Sequence, residues 1–198
     1  MPTVDFYFDV VCPYAYLAFN QMPGIAERTG ASVNYKPILL GGVFKSIDAP
    51  QVPMNSMPQN KQQMNLWDMH RWAEHFETPL QFPPEHPRRT VEAMRAIHAS
   101  PDPIAATKAL YTAYWSEGLD VADRTILQRV LDKANLDGET ILSQIDSPAI
   151  KASLRATTDE AVAAGVFGVP AFVIENELIW GQDRLHFVEK LLKGWQPT

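Results

Sequence analysis

DFYFDVVCPYAYLA, residues 5–18, passes from a strand pattern to a helix pattern across one cysteine. Its first half belongs to Val4–Val10, which alternates and is rich in aromatic and β-branched side chains, as a strand buried on at least one face would be. Cys12-Pro13 ends that run. Proline is tolerated in a helix's first turn, where its missing N–H would have had no partner. Tyr14–Thr29 then carries Leu17, Ala18, Met22, Ile25 and Ala26 at helical spacing before Gly30 closes the segment. Ser32–Leu40 (SVNYKPILL) reads as a second strand, with Pro37 marking an edge or a bulge. Residues 1–40 therefore make a βαβ unit.

Beyond it, Gly41–Pro58 shifts to Gly, Pro, Met, Asn and Ser, which reads as an ordered functional loop without a long element. Gln59–Phe76, Thr90–Ala99, Pro103–Ser116, Ala122–Ala134, Gly138–Ile145 and Pro148–Ala164 have helical spacing, punctuated by Pro, Gly and Asp-Gly. From Phe167 the β character returns: Ala171–Glu175 and Leu178–Gly181 form a hairpin turning at Asn176 and Glu177, and Asp183–Lys193 forms a last helix. A parallel βα β start and an antiparallel ββα end, split by helices, is an α/β chain in the thioredoxin-like arrangement. The expected partition is a thioredoxin-like domain from residues 1–54 and 165–198, with an all-helical insertion at 55–164.

At 198 residues and 46% apolar content the chain can bury a full core without staples. No basic start followed by a long apolar run appears, and no window reaches about 18 apolar residues, which argues against a secretion signal or a membrane span. The net charge of −6 comes from interspersed charges, and no basic cluster interleaved with aromatics suggests nucleic acid. The histidines His70, His75, His86, His98 and His186 make no metal-binding pattern. A single cysteine excludes an intrachain disulfide and suits a reducing cytoplasm.

That cysteine is either packing or chemistry. Free cysteines are usually small buried hydrophobes. A thiol at a helix N-terminus, however, meets the positive end of the dipole and unpaired N–H groups, which favour the reactive thiolate. Val169-Pro170, in GVFGVP at the entry to a strand, is expected to be cis, leaving Val169 free to pair with a peptide-like ligand. WGQDR (180–184) ends the hairpin and opens the last helix. There Gln182 or Asp183 can cap the helix while backbone amides face an anion and Asp183 faces an ammonium.

Cys12-Pro13-Tyr14-Ala15 resembles the C-P-x-C motif of the disulfide-oxidoreductase superfamily, with alanine in place of the resolving cysteine. Taken with Asn55, Lys61, FGVPAF and WGQDRL, the chain resembles the kappa-class glutathione transferases and the 2-hydroxychromene-2-carboxylate isomerases over nearly its whole length. The resemblance implies a homodimer with glutathione as cofactor. Cys12 would face the glutathione thiol, Val169 and Pro170 would lie along its backbone, and Trp180, Gly181, Gln182 and Asp183 would hold its γ-glutamyl end, with Lys61 also on glutathione. It places Lys45, Asn55, Ser56 and His86 near a small aromatic carboxylate, with walls from the region of Trp67, Trp72 and Phe82. Two departures stand out: Cys12 occupies a position that is mostly serine in the family, and Ser56 one where a familiar isomerase has arginine.

Three functions are compatible with these residues. In the isomerase, glutathione thiolate adds to the conjugated position of the chromene carboxylate, the ring opens, a bond rotates, and glutathione is regenerated. In a kappa-like transferase or monothiol oxidoreductase, Cys12 attacks a disulfide and free glutathione resolves it. A binding module would sequester glutathione or an aromatic acid without turnover.

Overall fold

In a computed structural model that describes residues 1–197, Thr3–Phe8 forms β1. Val4, Phe6 and Phe8 are all completely buried, and Tyr7 on the opposite face is buried as well, so the end of the strand is covered on both faces. Pro13–Thr29 forms α1, with Cys12 as its N-cap and Gly30 closing it in the left-handed region at φ 67. Ser32–Pro37 forms β2, parallel to β1 from the Thr3–Ser32 pair to the Phe8–Pro37 pair. The second strand stops at the proline, short of the Leu40 expected: Ile38 still donates to the Phe8 carbonyl, but the Leu39 and Leu40 amides turn to the Thr158 hydroxyl and the Asp9 carboxylate.

After β2 the chain enters a helix, where the composition predicts a loop. Leu40–Ser46 forms α2, and Pro53–Ser56 a single 3₁₀ turn. Gly41 and Gly42 give α2 poor intrinsic propensity, so the pattern hid it. Packing overrides propensity here: Val43 is fully buried, and a side chain on Gly42 would come within 3.1 Å of the Thr158 methyl group.

The helical segment contains α3 (Gln59–His75), α4 (Val91–Ala99), α5 (Pro103–Trp115), α6 (Arg124–Lys133), α7 (Gly138–Gln144) and α8 (Pro148–Ala163). Four of these starts carry true side-chain caps: Asp102 accepts from the Ala105 N–H, Asp123 from Thr125 and Ile126, Asp137 from Thr140, and Ser147 from Ile150. Each satisfies amides that a helix leaves unpaired at its first turn.

Ala171–Ile174 (β3) and Glu177–Trp180 (β4) complete the sheet in the order β2-β1-β3-β4, with β3 antiparallel to both β1 and β4. The hairpin turns at Glu175-Asn176, one residue earlier than expected, with Glu175 in the left-handed region at φ 55. Gln182–Arg184 is a 3₁₀ turn leading into α9, Leu185–Leu192. Phe6 stacks on Phe172 at 5.0 Å, and Phe8 and Phe19 pack against Tyr111 of α5 at 6.0 and 5.3 Å. One buried apolar cluster thus runs from the sheet into the helical segment. Each large side chain buried there contributes about 1.5–3 kcal/mol. Among the described residues no helix is long and apolar enough to cross a membrane.

Candidate functional site

Cys12 lies where β1 has ended and α1 has not yet begun. Its N–H donates to the Asp9 carbonyl at 3.1 Å, and its own carbonyl accepts from Tyr16 at 3.1 Å, closing the first helical turn. The side chain is 7% exposed, and Sγ donates to the Val169 carbonyl at 3.1 Å. Burial pushes the thiol up to about 12; the Ala15 and Tyr14 amides pull it down and the Asp9 charge adds to the rise. The helix N-terminus favours a thiolate and burial opposes it, a balance the sequence left open. Desolvation of a charged sulfur outweighs two N–H groups and a helix dipole, so Cys12 is a neutral S–H donor at physiological pH.

The Val169-Pro170 bond is cis, as the sequence led us to expect. The Val169 N–H has no partner among the described residues, while the Pro170 carbonyl accepts from the Gly181 N–H at 3.0 Å. With Ala171 paired to Trp180, this brings Cys12, Val169, Pro170, Trp180 and Gly181 into one connected group. Gly181 sits at φ 102, a backbone conformation that residues with a Cβ rarely adopt, and a Cβ there would also crowd the Asp183 carboxylate. Gly168 passes under the Trp180 indole, where a side chain would lie 3.0 Å from Nε1, and Phe167 packs on the same ring at 5.3 Å.

Two expectations for this segment are revised. Asp183 is not a free carboxylate: it pairs with the Arg184 guanidinium at 3.0 Å, and that guanidinium also donates to the Trp180 carbonyl at 2.9 Å. Nor does Gln182 or Asp183 cap the last helix, whose N-cap is Arg184 with no side-chain bond; Gly181 precedes the 3₁₀ turn. Gln182 is 6% exposed. Tyr14, half-buried on α1, is pushed up to about 12, chiefly by burial, with smaller contributions from the nearby Cys12, Asp68 and Asp183 side chains, which marks it as a neighbour of all three.

Beneath the turn lies a polar network that sequence reading did not find. Asp9 is 1% exposed. Its carboxylate accepts from the Thr90 hydroxyl at 2.8 Å, the Val11 N–H at 3.1 Å and the Leu40 N–H at 2.9 Å. Burial raises its pKa, and those donors oppose the rise. Two residues of α5 grip the same turn: Tyr111 donates to the Asp9 carbonyl at 3.3 Å and the Trp115 indole to the Val10 carbonyl at 2.8 Å. The one available signal was an aspartate standing inside an otherwise apolar strand end.

Lys45, Asn55, Ser56 and Lys61 are all exposed, on α2, the 3₁₀ turn and the start of α3. The Ser56 hydroxyl donates locally to the Pro53 carbonyl at 2.8 Å. His86 is enclosed by Phe82, Tyr114 and Trp115, with Nδ1 3.0 Å from the Tyr114 hydroxyl, and a second cis bond joins it to Pro87. Burial lowers its pKa from 6.5 to about 4. The unfolded chain then binds a proton that the folded one refuses, so the His86 contribution to stability is complete above pH 6.5 and is lost as the pH falls toward 4. The melting temperature of His86→Phe should therefore fall less between pH 7 and pH 4.5 than that of the parent; equal slopes would refute this.

Residues 3–193 match the family described as the DSBA-like thioredoxin domain. The chain is 31% identical over 199 residues to a 2-hydroxychromene-2-carboxylate isomerase of Sphingobium xenophagum, an alignment covering 96% of this chain and 97% of the relative. It is 25% identical over 207 residues to glutathione S-transferase kappa 1 of Homo sapiens, covering 96% and 90% respectively. Among solved structures, a selenomethionine 2-hydroxychromene-2-carboxylate isomerase aligns with a TM-score of 0.82 at 27% identity, over 96% of this chain and 94% of that one. Motif order, sheet order and overall similarity agree: the chain belongs to the DSBA-like thioredoxin domain family, among relatives named 2-hydroxychromene-2-carboxylate isomerase and kappa-class glutathione transferase.

Proposed function

We propose that the protein is a glutathione-dependent isomerase interconverting 2-hydroxychromene-2-carboxylate and trans-o-hydroxybenzylidenepyruvate, a step in aromatic hydrocarbon catabolism. The observation that carries this reading is Cys12 itself: buried, protonated, donating to Val169, and the only cysteine in the chain. A thiol with these properties is a poor nucleophile and a usable hydrogen-bond donor. It stands in for the serine hydroxyl of the family and does no redox chemistry.

The site is compatible with a peptide-like cofactor, because the Val169 N–H is unpaired beside an S–H that can turn. When bound there, glutathione would supply the thiol chemistry of the reaction, addition to and departure from the conjugated carbon. Cys12 would give up the Val169 carbonyl and donate its S–H to that sulfur, which leaves the Val169 carbonyl, beside its already unpaired N–H, for the cofactor backbone at Pro170. Trp180, Gly181, Gln182 and Asp183 hold the γ-glutamyl end, with Arg184 fixing the Asp183 carboxylate, and Lys61 adds a cation. Lys45, Asn55, Ser56 and His86 take the carboxylate and phenol oxygens of the aromatic substrate, so the 55–164 segment is the substrate-facing insertion. The reading also carries a homodimer, and a cytoplasm that keeps the one thiol reduced.

A transferase or monothiol oxidoreductase built on Cys12 requires a thiolate that burial disfavours. The test follows the ultraviolet absorbance of 2-hydroxychromene-2-carboxylate with purified protein, with and without glutathione. Conversion only with glutathione is expected. No conversion, together with reduction of a glutathione mixed disulfide, would sink the isomerase and favour the oxidoreductase.

A further inference from the structure

Asp9 takes no part in the proposed reaction, yet among the described residues it is a fully buried carboxyl whose side chain accepts three hydrogen bonds. We propose that Asp9 is a positioning residue that registers the Cys12 turn against the two segments expected to hold the aromatic carboxylate: α2, and the His86 loop leading into α4. The inference rests on the proposed function for the roles of those segments, and on geometry for the coupling.

Three segments meet on one carboxylate. Oδ1 accepts from the Val11 N–H and the Thr90 hydroxyl, and Oδ2 from the Leu40 N–H, all within 3.1 Å, while the carbonyl of the same residue accepts from the Cys12 N–H. A buried carboxylate is costly unless it is fully bonded, so this one can persist only while all three partners stay in place.

Both helices involved depart from ordinary local capping. The N-cap of α2, Leu39, has no side chain able to cap, so the Leu40 N–H is capped by a residue 31 positions earlier. With Gly41 and Gly42 in a seven-residue helix, little else favours its first turn. Thr90 is the N-cap of α4, yet its hydroxyl accepts no bond from the next amides, and its O–H donates to Asp9 across 81 positions. Lys45 lies on the α2 side of this junction and His86 just before Thr90, so a shift at Asp9 moves both relative to the thiol.

Asparagine has nearly the same shape but only one acceptor oxygen, and its NH₂ group would face a donor. Asp9→Asn should raise KM for the chromene carboxylate by about tenfold or more, the loss of one buried bond to a charged acceptor, while glutathione affinity by calorimetry stays within about twofold. Hydrogen exchange of the 40–46 amides should accelerate by a similar factor. Thr90→Val should show the same pattern and Thr90→Ser should restore it.

Unchanged exchange and KM in Asp9→Asn would overturn the proposal. So would glutathione affinity falling in step with KM, which is the mark of general unfolding. If Asp9→Asn does not fold, the Thr90 pair decides, and identical behaviour of Val and Ser overturns the role. If the parent does not convert the chromene at all, the function falls alone, and the exchange and calorimetric results still judge Asp9.

Discussion

Cys12→Ser will isomerise the chromene carboxylate at least as fast as the parent, whereas Cys12→Ala will be slower by about a hundredfold. The asymmetry comes from what the position supplies. Sγ is 7% exposed and aimed at the Val169 carbonyl, and burial holds its proton up to about pH 12. A hydroxyl in the same place keeps the donor and strengthens it, because O–H donates better than S–H. Alanine removes it. Loss of one donor aimed at developing charge costs on the order of 10²–10³ in rate, and a weak thiol donor belongs at the low end. The measurement is initial rate at saturating glutathione, paired with iodoacetamide alkylation of the parent across pH 6–9. Slow alkylation throughout and a vigorous serine variant are the expected results. A dead serine variant beside a rapidly alkylated parent would mean that the sulfur is the nucleophile.

Trp115→Ala is expected to be the most destabilising single change in the helical segment. The indole is fully buried, packs on Phe82, His86 and Tyr114 at 5.0–5.4 Å, and donates to the Val10 carbonyl at 2.8 Å. Truncating a buried tryptophan costs about 3–5 kcal/mol through lost burial and the cavity left behind. Orphaning the Val10 carbonyl adds to that loss, up to about 3 kcal/mol if no water reaches it. Against a typical total of about 5–15 kcal/mol, the variant should melt far earlier in urea. Trp115→Phe keeps most of the packing and loses the bond, so it should fall between the two. A loss below about 1 kcal/mol for the alanine variant would show that the turn does not depend on α5.

Much of this molecule could be read in advance, and the exceptions share a cause. Cys12-Pro13 at the strand–helix junction, Gly30 as terminator, the cis Val169-Pro170 bond and the parallel-then-antiparallel strand order all depend on residues near one another in sequence. The α2 helix was hidden because its start is capped from Asp9 and its glycines serve close packing on Thr158. The protonation of Cys12 was not legible because the helix N-terminus, which favours a thiolate, is a local effect and burial, which opposes it, is not. The Arg184 bond to Asp183 was overlooked although the two are adjacent, since either side chain could have pointed to solvent. The hairpin turn moved by one residue because Glu175 accepts a left-handed backbone that favours asparagine or glycine.

The strand order also dictates when the molecule can be completed. β1 is a central strand, made first, and one of its two neighbours is β3: Asp5 pairs with Val173, Phe6 with Phe172 and Tyr7 with Ala171. During synthesis the earliest strand therefore waits with a bare edge and unburied aromatics while the whole helical segment emerges. The cap on α2 must likewise wait for β1 and Thr90 to settle around Asp9. Folding of this chain is in large part a closing event, in which the segment from Ala171 onward returns to finish the sheet that β1 and β2 began.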